Sequence, residues 1–252
     1  MSHTPSARRA RIGRTVAEWR YRGRNARYRP IFDTLADLDL RTVLDVGGGR
    51  FADDVGHLTF DRWVVVEPDV ARLPTVADRR VQRVAGDGQH LPVRTSSVDT
   101  VLSIQVLEHV FEPLEMLREL QRAVRPGGHV VLVVPQTANV HELPHHYQNF
   151  TRYWLEEAAQ RLDLEIVTYV AMGGAWSSIA SRLVLQYATV FRVPGHHEAR
   201  SRRGWKFWAL APLGALVTAM VVPVALLLGT NDLEEEANNH LVVLRTRVDS
   251  PV

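Results

Sequence analysis

Short apolar runs recur along this chain, and most of them are separated by stretches whose apolar residues follow a helical spacing. Seven runs predict β-strands, at residues 42–46, 62–67, 81–85, 98–104, 129–134, 164–171 and 240–248. Strands that alternate with helices are joined by right-handed crossovers. The pattern therefore predicts an α/β fold with a doubly wound, mostly parallel seven-stranded sheet.

Two helices are predicted between the later strands. In residues 113–125 the apolar positions are 114, 117, 120 and 124, and an Arg-Pro-Gly-Gly sequence then ends the helix. Thr151 can cap the second helix. The residues that would share one face of that helix are Trp154, Leu155, Ala158 and Leu162.

The segment from Phe207 to Gly229 contains no charged residue across 23 positions. That length could cross a bilayer, although Pro212 and Pro223 each remove a helical hydrogen bond and should interrupt a helix. Cationic and tryptophan residues, which are typical of a membrane interface, border the segment. They are Arg200, Arg202, Arg203, Trp205, Lys206 and Trp208.

A single crossing is incompatible with the strand predicted at 240–248, because that strand would lie across the membrane from its sheet. The apolar segment must therefore enter and return, lie in the interface, or pack against protein. We expect an apolar helical insertion over residues 173–237 that associates with a membrane. Burial within the protein or in a homodimer is the alternative.

Charge sets the N-terminal region apart. Residues 1–30 carry nine arginines and one acidic residue, a charge of +8, which leaves −6 on the rest of a chain whose net charge is +2. This basic N-terminal arm favours an anionic partner, either lipid headgroups or nucleic acid. No apolar core follows its arginines, so no secretory signal is predicted.

Composition limits the chemistry. A chain of 252 residues with 46% hydrophobic and 23% charged residues can form one α/β domain with an additional element. The absence of cysteine excludes disulfides, thiolate metal ligands and a cysteine nucleophile.

The first predicted strand leads into three consecutive glycines, Gly47, Gly48 and Gly49. Glycine lets backbone N–H groups approach a ligand closely, and a strand, a glycine turn and a helix in succession hold nucleotide-like cofactors. Asp45 precedes the turn, and Glu67 ends the next strand, where an acid can accept hydrogen bonds from ribose hydroxyls. On these residues alone, a dinucleotide site and a tight turn without a ligand both stay open.

Further motifs follow the glycine turn in a regular order. They are Gly86-Asp87, Leu91-Pro92, Asp99-Thr100-Val101, Leu107-Glu108-His109 and Arg125-Pro126-Gly127-Gly128. Together with the turn, this series resembles the class I S-adenosylmethionine-dependent methyltransferases over residues 40–170. The resemblance implies a Rossmann-like methyltransferase domain over residues 31–172 and 238–249, with S-adenosyl-L-methionine as the cofactor.

The resemblance assigns the methionine end of that cofactor to four residues. Backbone amides of Gly47 and Gly49 would approach it, and Asp45 would anchor its amino group directly or through water. Gln105, at the tip of the fourth strand, would lie beside the sulfonium. The family more often has small residues where Arg50 and Phe51 stand in this chain. These two residues are expected to reshape the floor of the pocket beside Gly49.

The resemblance assigns the other end of the cofactor to acidic residues after the next two strands. Glu67 would bind the ribose hydroxyls. Asp87, with Gly88 beside it, would accept a hydrogen bond from the adenine amino group.

Two histidines are candidates for catalytic residues. A sulfonium methyl group is already electrophilic, so catalysis is mostly positioning, and a hydroxyl acceptor also benefits from a general base. His109 follows the fourth strand at the cofactor edge. Alternatively, it caps a helix and only holds the loop in place.

His145 belongs to segment 144–151, which resembles the Pro-His-Asp-x-x-Arg-Phe-Thr motif of a methyltransferase subgroup associated with cell-surface glycans and lipids. His146 and Asn149 replace the Asp and Arg of that motif, so the acceptor stays open. Alternatively, His145 only fixes a loop. The spacing of His141, Glu142, His145 and His146 fits no standard helical metal motif, and no metal site is predicted.

We therefore expect a methyltransferase that acts on a small or lipid- or glycan-linked acceptor, at the cytoplasmic face of a membrane. Two alternatives stay open: a non-catalytic membrane adaptor that binds S-adenosylmethionine, and an NAD-dependent oxidoreductase. A nucleic-acid substrate is not favoured, because the chain has no Asn-Pro-Pro-Tyr-like motif and the apolar segment would have no purpose there.

Overall fold

The computed structural model describes residues 29–190, 204–229 and 234–248, without the side chains of residues 185–190, 206 and 234. Residues 1–28 of the basic arm lie outside the described residues, as do Arg200, Arg202 and Arg203. The expectation of an anionic partner for these arginines stays a prediction.

Helices and strands alternate in the second half of the chain. Over the described residues the helices are α1 (Arg29–Ala36), α2 (Pro113–Ala123), α3 (Arg152–Arg161), α4 (Ala175–Val190) and α5 (Trp205–Leu228). The strands are β1 (Thr42–Val46), β2 (Arg62–Glu67), β3 (Val81–Ala85), β4 (Val98–Ile104), β5 (Val124–Pro135), β6 (Leu164–Met172) and β7 (Asn239–Thr246).

The strands form one seven-stranded sheet in the order β3-β2-β1-β4-β5-β7-β6. Strands β1 to β5 pair in parallel, while β7 pairs antiparallel with both β5 and β6. The predicted α/β class and the mostly parallel seven-stranded sheet are therefore confirmed. The order reverses beside β1, so the carboxyl ends of β1 and β4 flank the crevice where ligands bind in open α/β sheets.

Strand β5 starts earlier than predicted. It begins at Val124, where helix α2 ends, and includes the Arg-Pro-Gly-Gly sequence that was expected only to end the helix. A Cβ at Gly128 would lie 2.6 Å from the carbonyl oxygen of Asp99 on β4. Arg125 Nη1 also donates to Asp99 Oδ1 at 2.7 Å. These contacts between strands extend β5, and the local sequence does not show them.

The helices expected between the first strands do not form. Every residue from 42 to 104 is described, and 3₁₀ turns at Phe51–Asp53, Val55–His57 and Val70–Arg72 replace α-helices there. The Asp53 carboxylate accepts hydrogen bonds from the backbone N–H groups of Thr75 and Val76, both at 2.7 Å. This long-range contact ties the turn after β1 to the connection after β2.

The apolar segment forms a single helix, α5, which continues through Pro212 and Pro223. The expectation that these prolines interrupt it is therefore wrong. Within the described residues, Phe207–Leu228 is the one helix long and apolar enough to span a membrane, with a mean hydropathy of 2.3 and 6% of its apolar window buried. By itself this composition is weak support for a membrane, since core helices share it.

Helices α4 and α5 form a hairpin on one edge of the sheet. They pack against each other, α4 starts just after β6, and α5 leads back to β7. Met172 at the end of β6 pairs with Asn239 at the start of β7. The chain thus leaves and rejoins the sheet at the same edge, and β7 returns to the sheet as predicted.

A carboxyl group lies in the middle of this sheet, on β1. Asp45 is fully buried, and its Oδ2 accepts a hydrogen bond from Trp63 Nε1 at 3.1 Å. Its Oδ1 is buried without a hydrogen-bond partner. Burial raises the pKa of Asp45 to about 7, against the smaller opposing effect of the Trp63 hydrogen bond.

The raised pKa of Asp45 predicts a pH-dependent stability. The unfolded chain releases this proton near pH 4 and the folded protein near pH 7, so this group lowers the free energy of unfolding as the pH rises through that window. Asp45→Asn removes the charge but keeps an acceptor for Trp63. Relative to the wild type, the variant should gain a few kcal/mol of stability, on the order of 1.4 kcal/mol for each unit of the shift, between pH 4 and pH 8.

Urea unfolding of both proteins at pH 4, 6 and 8 measures this difference. As a second variant, Trp63→Phe removes the hydrogen bond that favours the carboxylate and should move the window to higher pH. A stability difference between the wild type and Asp45→Asn that is the same at all three pH values would contradict the assignment.

Candidate functional site

The glycine turn after β1 is shaped by close packing. Gly47 has a φ of +70°, and a Cβ there would lie 2.6 Å from Val106 Cγ2. A Cβ at Gly48 would overlap the carboxylate of Asp45. Both positions therefore require glycine for the fold, whether or not a ligand approaches them.

Gly49 differs from its two neighbours because a Cβ there would clash with nothing and would make only ordinary van der Waals contacts. Its φ is +50°, and the atoms nearest to an added Cβ are Arg72 O at 3.6 Å and Glu67 Oε2 at 3.8 Å. Phe51 does not reshape the surroundings of Gly49, since its ring stacks on Phe32 at a centroid distance of 5.1 Å and packs against the core on the α1 side. A ligand could therefore lie against the Gly49 backbone beside the Glu67 carboxylate.

Glu67 ends β2 and is 5% exposed. Burial raises the pKa of its carboxyl group, while backbone N–H groups of Asp69 and Gly49 partly offset this effect. The Asp69 N–H donates to Oε1 across a long 3.4 Å. Because this carboxylate has little contact with solvent and accepts only a long hydrogen bond from Asp69, a ligand that brings hydroxyl donors would bind well beside it.

Asp87 lies two residues beyond β3, whose last residue, Ala85, pairs with Glu67. Its side chain is exposed, and Oδ1 accepts the N–H of Gln89 at 2.9 Å. A Cβ at Gly88 would lie 2.8 Å from Met116 Cε on α2. The glycine at 88 is therefore required by helix packing, which holds Asp87 close to the carboxyl end of β2.

Gln105 is placed at the carboxyl tip of β4 in a left-handed backbone conformation, with a φ of +55°. Its Nε2 donates to Asn239 Oδ1 at 3.1 Å, across the sheet at the start of β7. The tip of β4 is thereby connected to the base of the α4–α5 hairpin. Non-glycine residues with positive φ are costly and are enriched at functional sites.

Asp45 was expected to bind the amino group of the cofactor, but the structure places its side chain beneath the glycine turn. Its carboxylate has no exposed surface and lies under Gly48. Direct contact with a ligand is therefore blocked in this conformation. Contact through the glycine turn or through water stays a prediction.

His109 ends the 3₁₀ turn Leu107–His109 after β4 and is half-buried. Its Nδ1 lies 2.7 Å from the backbone carbonyl of His145, which accepts a hydrogen bond from it. Burial lowers the pKa of His109, and so does the neighbouring His141. The side chain of His145, by contrast, is exposed and pairs with the Tyr147 hydroxyl at 3.2 Å.

Two histidines that were not selected from the sequence join His109. His141 and His146 bring their Nδ1 atoms to 3.1 Å, and the ring centroids of both lie within 5.6 Å of the His109 ring. The segment 141–150 is held over the sheet by hydrogen bonds from Tyr147 N to Glu108 O and from Phe150 N to Pro135 O, both 2.8 Å. The density of histidines at 141–146 was the signal in the sequence, but spacing alone did not select among them.

These residues all lie along one edge of the sheet. Glu67, Asp87, Gly49 and Gln105 follow four neighbouring strands, and the histidine cluster follows β4 and β5 beside them. An ion pair of 2.7 Å between Arg72 Nη2 and Glu142 Oε2 connects the loop after β2 to the histidine loop. The arrangement suits a nucleotide-like ligand beside Glu67 and Asp87, and a second reactant beside the histidine cluster. The individual binding and catalytic roles stay predictions.

Comparisons with known proteins agree with this arrangement. Residues 44–132 match the family model described as a methyltransferase domain. An uncharacterized methyltransferase of Mycobacteroides abscessus is 38% identical over 104 residues, which is 36% of this chain and 39% of that protein. The chain therefore spans about two fifths of the length of the curated relatives it matches.

Solved structures share the fold at low sequence identity. A SAM-dependent methyltransferase from Archaeoglobus fulgidus aligns with a TM-score of 0.54 and 13% identity, over 88% of this chain and 92% of that one. The [4+2]-cyclase SpnF aligns with a TM-score of 0.56 and 16% identity, over 87% and 80%. The fold alone therefore does not fix the reaction.

The sequence match covers the glycine turn, Glu67, Asp87 and His109, and the sheet order and the placement of these residues at one edge agree with it. Residues 44–132 of this chain therefore match a methyltransferase domain, and the fold is that of the Rossmann-like methyltransferases.

Proposed function

We propose that this protein binds S-adenosyl-L-methionine and transfers its methyl group to a small or lipid- or glycan-linked acceptor at the cytoplasmic face of a membrane. One observation carries this proposal: the candidate cofactor residues and the base of the apolar hairpin lie at the same edge of the sheet. The acidic groups suited to the cofactor lie there beside the base of an exposed apolar hairpin.

The residues present fit the cofactor. The backbone of Gly49 lies beside Glu67, a nearly buried carboxylate that accepts the N–H of Asp69 at 3.4 Å. Ribose hydroxyls would add further donors to this carboxylate, while Asp87 would accept a hydrogen bond from an adenine amino group. When bound, the cofactor supplies an electrophilic methyl group. The chain then has to bind, orient and shield the two reactants.

Substitution of the acidic residues should weaken binding of the cofactor. Glu67→Ala and Asp87→Ala each remove an acceptor, and each should cost about 1–3 kcal/mol of binding free energy, roughly a 5- to 150-fold rise in Kd. Isothermal titration calorimetry with S-adenosylmethionine measures the change. Glu165→Ala serves as the control, because its exposed carboxylate pairs with Arg245 on the far strands of the sheet.

Each outcome of this titration supports a different function for the protein. Unchanged affinity in both acidic variants would contradict the site. Binding of NAD in place of S-adenosylmethionine would favour the oxidoreductase alternative, which the glycine turn and Glu67 also fit. Cofactor binding without methyl transfer to any extract of the source organism would favour the adaptor.

His109 is the stronger candidate for assisting the acceptor. It is half-buried at the carboxyl end of β4, next to the tip residue Gln105 that the family resemblance puts beside the sulfonium. The side chain of His145 contacts Tyr147, and its backbone carbonyl is what orients His109. We therefore assign His145 a positioning role through its backbone, with a direct role for its side chain as the second candidate.

Turnover measurements should distinguish the roles of His109 and His145. His109→Ala should keep cofactor affinity while kcat falls about 100-fold, the usual contribution of a group that assists proton transfer. His145→Ala keeps the backbone carbonyl and should lose much less. The assay follows radiolabelled methyl transfer to a lipid and metabolite extract from cells that lack this protein. Full turnover in both variants would contradict a role for either side chain.

The hairpin presents an apolar surface beside the site. Large side chains on α5 are exposed, including Trp208 (55%), Leu213 (60%) and Leu227 (74%). Contiguous apolar surface of this kind marks a site of interaction with a membrane or another protein. At 24 residues α5 is about 36 Å long, enough to embed deeply in a bilayer.

The base of the hairpin is fixed to the site edge by polar contacts. Thr137, which follows β5, contacts Ser178 of α4 at 3.0 Å between hydroxyl oxygens and donates to Asn238 Oδ1 at 3.1 Å. Arg182 Nη2 also donates to the Thr137 carbonyl at 3.1 Å. A membrane bound to the hairpin would therefore lie beside the acceptor side of the site, where a lipid-linked acceptor could enter.

Vesicle flotation tests the membrane proposal. Four substitutions on α5, Leu210→Gln, Leu213→Gln, Leu216→Gln and Met220→Gln, replace exposed apolar groups with polar ones. The wild type should float with anionic vesicles, less so at high salt because the basic arm contributes roughly 1 kcal/mol per arginine near the surface. The fourfold variant should remain at the bottom. Tyr153→Gln with Val248→Gln, which changes exposed residues away from the hairpin, should float like the wild type.

The other outcomes decide between the alternatives. Absence of flotation in the wild type, together with a dimer that the fourfold variant converts to monomer in sedimentation, would favour a homodimer. Equal flotation of the wild type and the fourfold variant would contradict docking through α5.

A further inference from the structure

We propose that His109, His141 and His146 form a binding site for a divalent transition-metal ion, with Zn²⁺ as the expected occupant. The proposal stands independently of the proposed methyl transfer. It concerns ligands that the tertiary structure brings together from two loops.

The three side chains converge on one point above the sheet. One ring nitrogen from each lies within 4.8 Å of the corresponding nitrogens of the other two. The closest pair, Nδ1 of His141 and Nδ1 of His146, is 3.1 Å apart. Two nitrogen ligands on a tetrahedral zinc ion at about 2.0–2.1 Å are separated by about 3.3 Å. The ligand nitrogens, which lie within 4.8 Å of one another, would reach this spacing through small movements of the rings.

Backbone carbonyls fix the orientation of two of these rings. His109 Nδ1 lies 2.7 Å from His145 O, and His141 Nδ1 lies 2.8 Å from Asn139 O. A carbonyl oxygen only accepts, so each Nδ1 carries the proton and each Nε2 carries the lone pair. Metal-binding histidines show this pattern, in which the other ring nitrogen donates to a carbonyl or carboxylate.

The surroundings favour neutral imidazoles and tolerate a cation. Burial lowers the pKa of His109 and of His146, which favours the neutral imidazole that a metal ion requires. The nearby guanidinium of Arg72 is paired with Glu142 at 2.7 Å. The buried carboxylate of Glu108 lies 3.9 Å from His109 Nε2 and can balance added positive charge.

The donor set selects the class of metal. Three imidazole nitrogens suit Zn²⁺, Co²⁺, Ni²⁺ or Cu²⁺, while Mg²⁺ and Ca²⁺ require oxygen ligands. Three protein ligands leave a fourth position open for water or for another oxygen ligand, as in catalytic zinc sites. With the metal bound, His109 would be a ligand and could not at the same time serve as the general base proposed above.

Metal titration of the full-length protein, freed of metal with a chelator, tests the site. We expect one Zn²⁺ per chain in the wild type, with affinity reduced at least about 10-fold in His141→Ala and in His146→Ala. His145→Ala is the matched control, because its side chain lies outside the cluster while its carbonyl remains. His196→Ala/His197→Ala, at two histidines outside the described residues, is the second control. Both controls should bind like the wild type.

Two further measurements separate a lost ligand from a damaged loop. Zn²⁺ should raise the Tm of the wild type and of His145→Ala but not of His141→Ala/His146→Ala, while all proteins melt alike without metal. Co²⁺ should give the visible spectrum of a four-coordinate nitrogen site in the wild type and in His145→Ala, but not in His141→Ala/His146→Ala. No stoichiometric binding, or binding that persists in His141→Ala/His146→Ala, would overturn the proposal. Calorimetry with S-adenosylmethionine on the metal-free protein reports the cofactor site separately, so either proposal can fail alone.

Discussion

The insertion of β7 between β5 and β6 is the constraint on which the rest of this structure depends. Because β7 runs antiparallel to both neighbours, its first residue lies at the edge where the parallel strands end. Asn239 can therefore reach Gln105, and Asn238 can reach Thr137. The same geometry obliges the chain between β6 and β7 to leave and return at one edge, which places the apolar hairpin beside the candidate site.

Buried polar groups give that edge its chemistry. Asp45 supports the glycine turn from below and has a partner for only one of its oxygens, while Glu67 stands at the mouth of the site with limited access to water. Such groups are costly to the fold unless a ligand or a neighbour completes their hydrogen bonds. The histidine loop over β4 and β5 adds imidazole nitrogens to this acidic edge. One edge of the sheet therefore carries both an acidic side and a nitrogen-rich side.

The strands were predictable because each is a short apolar run, and in the central strands β1 and β4 these side chains are buried on both faces of the sheet. The bounds of β1 to β4 agree with the prediction, and Thr151 caps α3 as its sequence indicated. The short 3₁₀ turns that follow β1 and β2, in place of the expected helices, could not be predicted from the local sequence. Contacts such as those of Asp53 with Thr75 and Val76 hold short turns there instead, and these residues are far apart in sequence.

The sequence by itself determined the α/β class, the glycine turn and the acidic residues at the strand ends, because periodicity and turn chemistry are local properties of the chain. The tertiary structure alone decided which histidines meet. His145 and His146 are neighbours in sequence, yet their side chains point to different surroundings, and only His146 joins His109 and His141. Only the fold also showed that α5 continues through two prolines and remains exposed. Convergence and exposure depend on contacts between distant segments, and no local pattern in the sequence records them.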